Sequence, residues 1–183
     1  SVTLIEGGRI EDFIRTLQAA PYVEQTLDVD DVAEVRSSLD LKQENIEGLF
    51  LAETYAYTAG TKDIDILRRA NVHMNDYLNK SWSSRAKGLP YQSAYEALIM
   101  ASIIEKETGK AQERPLIASV FLNRLRKGMK LQTDPTVIYG IKDRYDGNIR
   151  KVDLQDKNSY NTYVIDGLPP TPIAIPSKAA IKA

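Results

Sequence analysis

The sequence predicts a helix-rich α+β fold in which a buried central helix carries a catalytic core and a small strand-containing lobe leads into it. Three observations support this. From Ala97 to Ile104 every residue is apolar or small, and a helix without a polar face needs cover on most sides. Several other segments repeat apolar residues at the helical period, while extended-looking stretches are few and short. The 183 residues also amount to roughly one domain's worth of chain, enough to bury a core unaided. We place the lead-in lobe at residues 1–90 and the core at 91–183.

Val2 to Ile5 reads as a strand, broken by Gly7-Gly8 ahead of a helix whose apolar positions are Ile10, Phe13, Ile14 and Leu17. A second helix is expected from about Asp30 to Ser38, capped by the Asp30-Asp31 pair, and Leu49-Phe50-Leu51 with Thr54-Tyr55 reads as extended. Thr61 is the expected N-cap of the next helix, with Ile64, Leu67, Met74 and Leu78 on one face and Asp63 and Asp65 in a first turn that favours negative charge. That helix should stop before Gly88-Leu89-Pro90. The central helix is predicted over 93–108, with Gly109 as its C-cap. A further helix places Pro115 in its first turn, Ile117, Val120, Phe121 and Leu125 on one face, and Gly128 at its stop. Beyond Leu131 the chain turns to Gly, Pro, Asn, Asp and Tyr. Long ordered loops of this kind are where sites concentrate.

Composition removes several classes of function. Lys plus Arg number 24 against 25 Asp plus Glu, so there is no global positive field to hold nucleic acid. Cysteine is absent, which excludes disulfides and thiolate catalysis. His73 is the single histidine, so a histidine triad or multi-histidine metal site has nothing else to rest on, and a surface helix position is expected for it. No metal or cofactor is predicted. No apolar stretch reaches the ~20 residues that span a bilayer, and the first residues lack a signal-peptide pattern. By themselves these features leave either a cytosolic protein or a trimmed piece of a longer one.

Glu105 directly follows the apolar run and shares a face with Ala94, Leu98 and Ala101. The negative end of the helix dipole, partial burial and nearby Glu107 all favour its protonated form, with Lys106 pulling the other way. A protonated carboxyl is what a glycosidic oxygen needs from a general acid. On spacing alone, however, Glu105, Lys106 and Glu107 read first as the solvated end of a buried helix. Asp134 before Pro135 reads first as an N-cap with proline at the first helical position. Tyr160-Asn161-Thr162-Tyr163 combines flat amphipathic rings with amide and hydroxyl groups, which suits sugar faces and also ordinary loop packing. The stretch from Pro169 to Pro176 reads as a rigid wall.

Three segments carry a resemblance: Ile99-Met100-Ala101-Ser102-Ile103-Ile104-Glu105-Lys106-Glu107-Thr108-Gly109, Val120-Phe121-Leu122-Asn123-Arg124-Leu125, and Leu131-Gln132-Thr133-Asp134-Pro135-Thr136-Val137-Ile138-Tyr139-Gly140. In wording, order and spacing they closely resemble the YceG-like family of endolytic murein transglycosylases, MltG. Tyr160 to Tyr163 and Gly167-Leu168-Pro169-Pro170 resemble its later motifs, and Ile5-Glu6-Gly7 and Glu53-Thr54-Tyr55 its lead-in region. The resemblance implies a single-pass inner-membrane protein with a periplasmic catalytic part that cuts MurNAc-GlcNAc bonds in nascent peptidoglycan strands, leaving 1,6-anhydro-MurNAc ends. It also implies that Glu105 is the catalytic residue. By type and by matching those motifs, Asn123, Gln132, Tyr139, Tyr160, Asn161 and Tyr163 are the candidate sugar contacts. Peptidoglycan strands are the implied partner, with peptidoglycan synthases beside them.

The chain departs from the family pattern in three places. A transmembrane helix and LysM-like lobe usually precede the stretch that starts here at Ser1, and a strand-rich segment usually follows the stretch that ends at Ala183. Thr171 stands where glycine is common. Two other functions compete. One is a non-catalytic peptidoglycan-binding module of the wall-synthesis machinery. The other is the pyridoxal-phosphate enzyme aminodeoxychorismate lyase, a label often given to this family, which would need a Schiff-base lysine and a phosphate cup. Lys106 is the only lysine beside a catalytic-looking segment, and no Gly-rich phosphate loop is present.

Overall fold

A computed structural model describes residues 1–28 and 32–183. The elements follow in the order β1 (Val2–Thr3), α1 (Ile10–Ala19), α2 (Val32–Ser38), β2 (Thr54–Tyr55), α3 (Asp63–Ser83), α4 (Ala94–Glu107), α5 (Arg114–Arg126), α6 (Asp134–Gly140), α7 (Lys151–Gln155) and α8 (Lys178–Lys182). β1 and β2 pair antiparallel, Val2 opposite Tyr55 and Thr3 opposite Thr54. The fold is the helix-rich α+β arrangement the sequence predicts, with a smaller sheet than expected. Leu49 to Leu51 form a buried connection, and only Thr54–Tyr55 pairs as strand.

The long helices follow their apolar patterns. α1 buries Ile10, Phe13, Ile14 and Leu17. α4 buries every residue from Leu98 to Ile104, as an all-apolar helix must. Its first turn is capped by Ser93, whose side chain accepts the Glu96 N–H at 3.3 Å. Pro115 lies in the first turn of α5, and Gly128 follows its end with φ 67°, a left-handed conformation that glycine adopts without strain.

Three cap expectations are corrected. Lys62, not Thr61, holds the N-cap position of α3. The reason is Asp63, whose buried carboxylate turns back to accept the N–H groups of Thr26 and Leu27 at 3.0 and 2.9 Å. Gly109 is not the C-cap of α4. Thr108 takes that place in extended conformation, and its hydroxyl donates to Glu113 at 2.7 Å. Asp134 is the first residue of α6, behind Thr133 at the N-cap, and its carboxylate is turned to Tyr163. The expected Asp30-Asp31 cap of α2 lies outside the described residues.

Buried side chains form two clusters that meet along α4. One gathers residues from Val2 to Leu78, with Leu98 and Ile175; the other runs from Ile99 through Phe121, Leu131 and Tyr139 to Ala180. The segment after the Pro-rich turn joins them. The Gly7 N–H donates to the Ile175 carbonyl at 2.7 Å, and the Ile175 N–H to the Gly8 carbonyl at 2.8 Å.

Candidate active site

The last turn of α4 places Glu105 where the buried run meets the surface, and its side chain is half-buried. Its Oε1 accepts the Ser177 N–H at 2.9 Å. One turn back on the same face, Ser102 Oγ accepts the Ile173 N–H at 3.0 Å while donating to the Ile99 carbonyl at 2.6 Å. Residues three apart on a helix point the same way, so α4 uses Ser102 and Glu105 as two acceptors that hold the 173–177 segment against it. Ser177 in turn caps α8, accepting the Ala180 N–H at 3.1 Å. The neighbours of Glu105 on α4 point elsewhere. Lys106 Nζ donates to the Gly7 carbonyl at 3.3 Å, and Glu107 accepts the Thr133 hydroxyl. Beside this face, between α4 and α8, lies a cavity of about 380 Å³ lined in part by Ala97, Ala101, Ile104 and Ile181.

The other candidates fall into three groups. Tyr139 and Tyr160 come together, with ring centroids 5.0 Å apart, and their hydroxyls meet the Asn45 amide at 2.9 and 3.1 Å. Gln132 and Tyr163 belong to a second group. The Gln132 N–H donates to the Thr162 carbonyl at 3.2 Å with φ 51°, which leaves its side chain exposed. The Tyr163 hydroxyl donates to Asp134 at 2.6 Å. Burial first, then Asp134, pushes the Tyr163 hydroxyl up to about 12. Asn123 and Asn161 stand apart. Asn123 is exposed on α5 and accepts from Arg126 at 3.2 Å. Asn161 is buried, and its amide nitrogen donates to the carbonyls of Asp153, Leu154 and Asp156 at 3.2, 3.1 and 2.8 Å. It ties down the end of α7. The single histidine, His73, is exposed on α3 as expected, 3.2 Å from Glu53.

Glu47 escaped the sequence reading. It is wholly buried, with Oε2 accepting the Ile10 N–H at 2.7 Å and Oε1 accepting the Tyr139 hydroxyl at 3.3 Å. Burial pushes its carboxyl up to about 7, against the opposing pull of the Ile10 N–H. The signal was a lone carboxylate inside the otherwise apolar Ile46-Glu47-Gly48-Leu49-Phe50-Leu51, since buried charges are rare without a partner.

The whole fold has a solved counterpart. It superposes on 99% of this chain and 64% of a YceG-like protein from Listeria monocytogenes, with a TM-score of 0.68 and 25% identity. That defines the class as the YceG-like type of helix-rich α+β domain. The chain belongs to the YceG-like family, whose pattern matches residues 1–183. Among its relatives, the endolytic murein transglycosylase of Bacillus subtilis (strain 168) is 37% identical over 129 residues, covering 70% of this chain and 35% of that protein. The enzyme of the same description from Streptococcus pneumoniae serotype 2 is 31% identical over 144 residues, covering 75% of this chain and 25% of its own length. The chain thus spans between a quarter and about a third of these relatives.

Proposed function

We propose that the chain is the catalytic part of an endolytic peptidoglycan transglycosylase that cuts MurNAc-GlcNAc bonds and leaves 1,6-anhydro-MurNAc ends, with Glu105 as general acid and base. The observation that carries this is a family match over the whole chain together with a half-buried carboxyl at the end of α4 that has one oxygen bound and, among the described residues, one available. Because Oε1 accepts the Ser177 N–H, the catalytic proton belongs on Oε2. From there it passes to the bridging oxygen as the bond to C1 of the muramyl residue breaks. The 6-hydroxyl of the same sugar closes on C1, and its proton returns to Oε2. An intramolecular nucleophile takes the place of the second carboxylate that ordinary glycosidases require.

Tyr163, Gln132, Tyr160 and Asn123 have exposed or half-buried side chains, and we assign them to sugar contacts. Tyr139 and Asn161 are buried and hold the surrounding wall. The relatives' description as endolytic murein transglycosylases supports peptidoglycan as substrate. We place the whole protein at the inner membrane, single-pass, with this part in the periplasm beside peptidoglycan synthases.

Replacing Glu105 by Gln in the full-length protein keeps the volume and the acceptor for Ser177 while removing the exchangeable proton. General acid–base help is worth ~10²–10⁴ in rate, so strand cleavage is expected to fall at least that far. Mass spectrometry of digested peptidoglycan reads the outcome, because anhydro ends lack one water relative to hydrolysed ends. Glu107→Gln, which keeps an acceptor for the Thr133 hydroxyl, is the matched control. Equal losses in both variants would reduce Glu105 to local electrostatics, and full activity of Glu105→Gln would end the proposal. Binding to glycan without anhydro products, unchanged by Glu105→Gln, would make the chain a binding module.

A further inference from the structure

Five side chains from distant parts of the sequence form one hydrogen-bonded network that includes the proposed sugar contact Tyr160. The Thr171 hydroxyl donates to the Pro172 carbonyl at 2.9 Å, so its oxygen is left to accept, from the Tyr160 hydroxyl at 2.7 Å and from Asn45 Nδ2 at 3.1 Å. Tyr160 then accepts from Asn45 Nδ2 at 3.1 Å. The same amide nitrogen donates to the Tyr139 hydroxyl at 2.9 Å, and Tyr139 donates onward to Glu47 Oε1 at 3.3 Å. The Asn45 amide is oriented by the Glu47 N–H, which donates to Asn45 Oδ1 at 3.1 Å. Each hydroxyl carries a single proton and the Asn45 amide nitrogen only donates, so reversing the Tyr139–Glu47 bond leaves the Tyr139 oxygen facing two donors and turns its own proton elsewhere.

Resting on the transglycosylase reading, we infer that Glu47 is a positioning residue for the glycan-binding side of the site: it holds Tyr139, whose hydroxyl shares the Asn45 amide with Tyr160 and whose ring lies 5.0 Å from that of Tyr160, and its protonation releases Tyr139. With Glu47 ionised, both its oxygens accept, one from the Ile10 N–H and one from the Tyr139 hydroxyl, as observed. A proton on Glu47 goes to Oε1, since Oε2 already faces the Ile10 N–H. Oε1 then becomes a donor, and Tyr139 must turn its own proton away. The charged groups around Glu47 are balanced for such a change. Glu11 on α1 opposes ionisation and Lys142 after α6 favours it. Arg9 and Lys142 both lie over the Tyr139 ring, at 5.3 and 4.7 Å from its centroid. Glu11 Oε2 is buried without a hydrogen-bond partner among the described residues. The carboxyl of Glu47, pushed up to about 7 by burial, changes state near neutral pH.

The test measures binding of uncrosslinked glycan strands by calorimetry in full-length protein carrying Glu105→Gln, which separates binding from turnover. Affinity is expected to rise several-fold from about pH 6 to about pH 8, as Glu47 ionises and the observed chain forms. Adding Glu47→Gln should flatten that dependence while the Ile10 N–H keeps an acceptor. Tyr139→Phe should flatten it too, by cutting the link and leaving the ring. Ultraviolet difference absorbance of tyrosine, recorded without glycan, should show a transition near neutral pH that Glu47→Gln removes. An unchanged pH dependence in both variants overturns the inference, as does weakening by the same factor at every pH, the mark of a purely structural role. Absence of glycan binding at any pH overturns it together with the transglycosylase reading. Cleavage that survives Glu105→Gln while binding stays pH-dependent removes the catalytic assignment alone and leaves Glu47 in place.

Discussion

Between about pH 4.5 and about pH 7, Glu47 in the folded chain keeps a proton that the same residue has lost in the unfolded chain. The folded state therefore binds more protons in that window, and stability must fall as pH rises through it. The contribution is fully present below the unfolded value of 4.5 and gone above about 7. At about 1.4 kcal/mol per unit, the loss amounts to about 3 kcal/mol. Urea unfolding at the two ends of the window should show it in the native chain, and Glu47→Gln, which has no proton to lose, should abolish this part of the slope. At the same scale, the sequence exposed Glu105 through its motif and its place after an apolar run. It did not convey that Asn161 is buried with its amide nitrogen on three carbonyls at the end of α7, because an amide suited to a sugar is equally suited to such carbonyls. Glu47 went unseen because its partners, Ile10 and Tyr139, lie 37 and 92 residues away.

The 173–177 segment depends on a close approach at Gly48. This glycine has φ 80°, and a Cβ there would stand 2.5 Å from Pro172 Cβ and 3.3 Å from the Ala174 carbonyl. Gly48→Ala meets both backbone strain and a ring that cannot move aside, so a loss of about 2 kcal/mol or more is expected. Thermal unfolding measures that loss. A change under about 0.5 kcal/mol would mean that the Pro-rich turn is not held as described. The long helices α1, α3, α4 and α5 were legible because their apolar positions repeat over several turns. The five-residue helices α7 and α8 offered no such repeat, and their positions come from caps and tertiary bonds such as the one from Ser177 to Glu105.

Across the whole molecule, the two buried clusters share one helix. Leu98 packs in the first and Ile99 in the second, while Ile175, late in the chain, returns to the first cluster. A lobe that unfolded alone would strip one side of α4 and break the Gly7 and Gly8 bonds to Ile175. The chain is therefore expected to melt in a single transition, with calorimetric and van't Hoff enthalpies in agreement. Two resolved transitions would show that the halves are independent. The sequence conveyed the central helix and its cover on most sides; it did not convey that Ile175, late in the chain, completes the core of the first half, since hydrophobic periodicity is silent on long-range order.

Under the proposed mechanism, the bond from Ser177 to Glu105 gives position 105 two separate selective constraints. One is chemical and needs an exchangeable proton; the other is architectural and needs only an oxygen to receive the Ser177 N–H. A descendant that lost strand cutting would be released from the first constraint and still bound by the second. Drift at this site is then channelled toward residues that retain an acceptor. Glutamine at position 105 would mark a lineage that kept the fold and gave up the reaction, and glutamate there would not by itself certify an active enzyme.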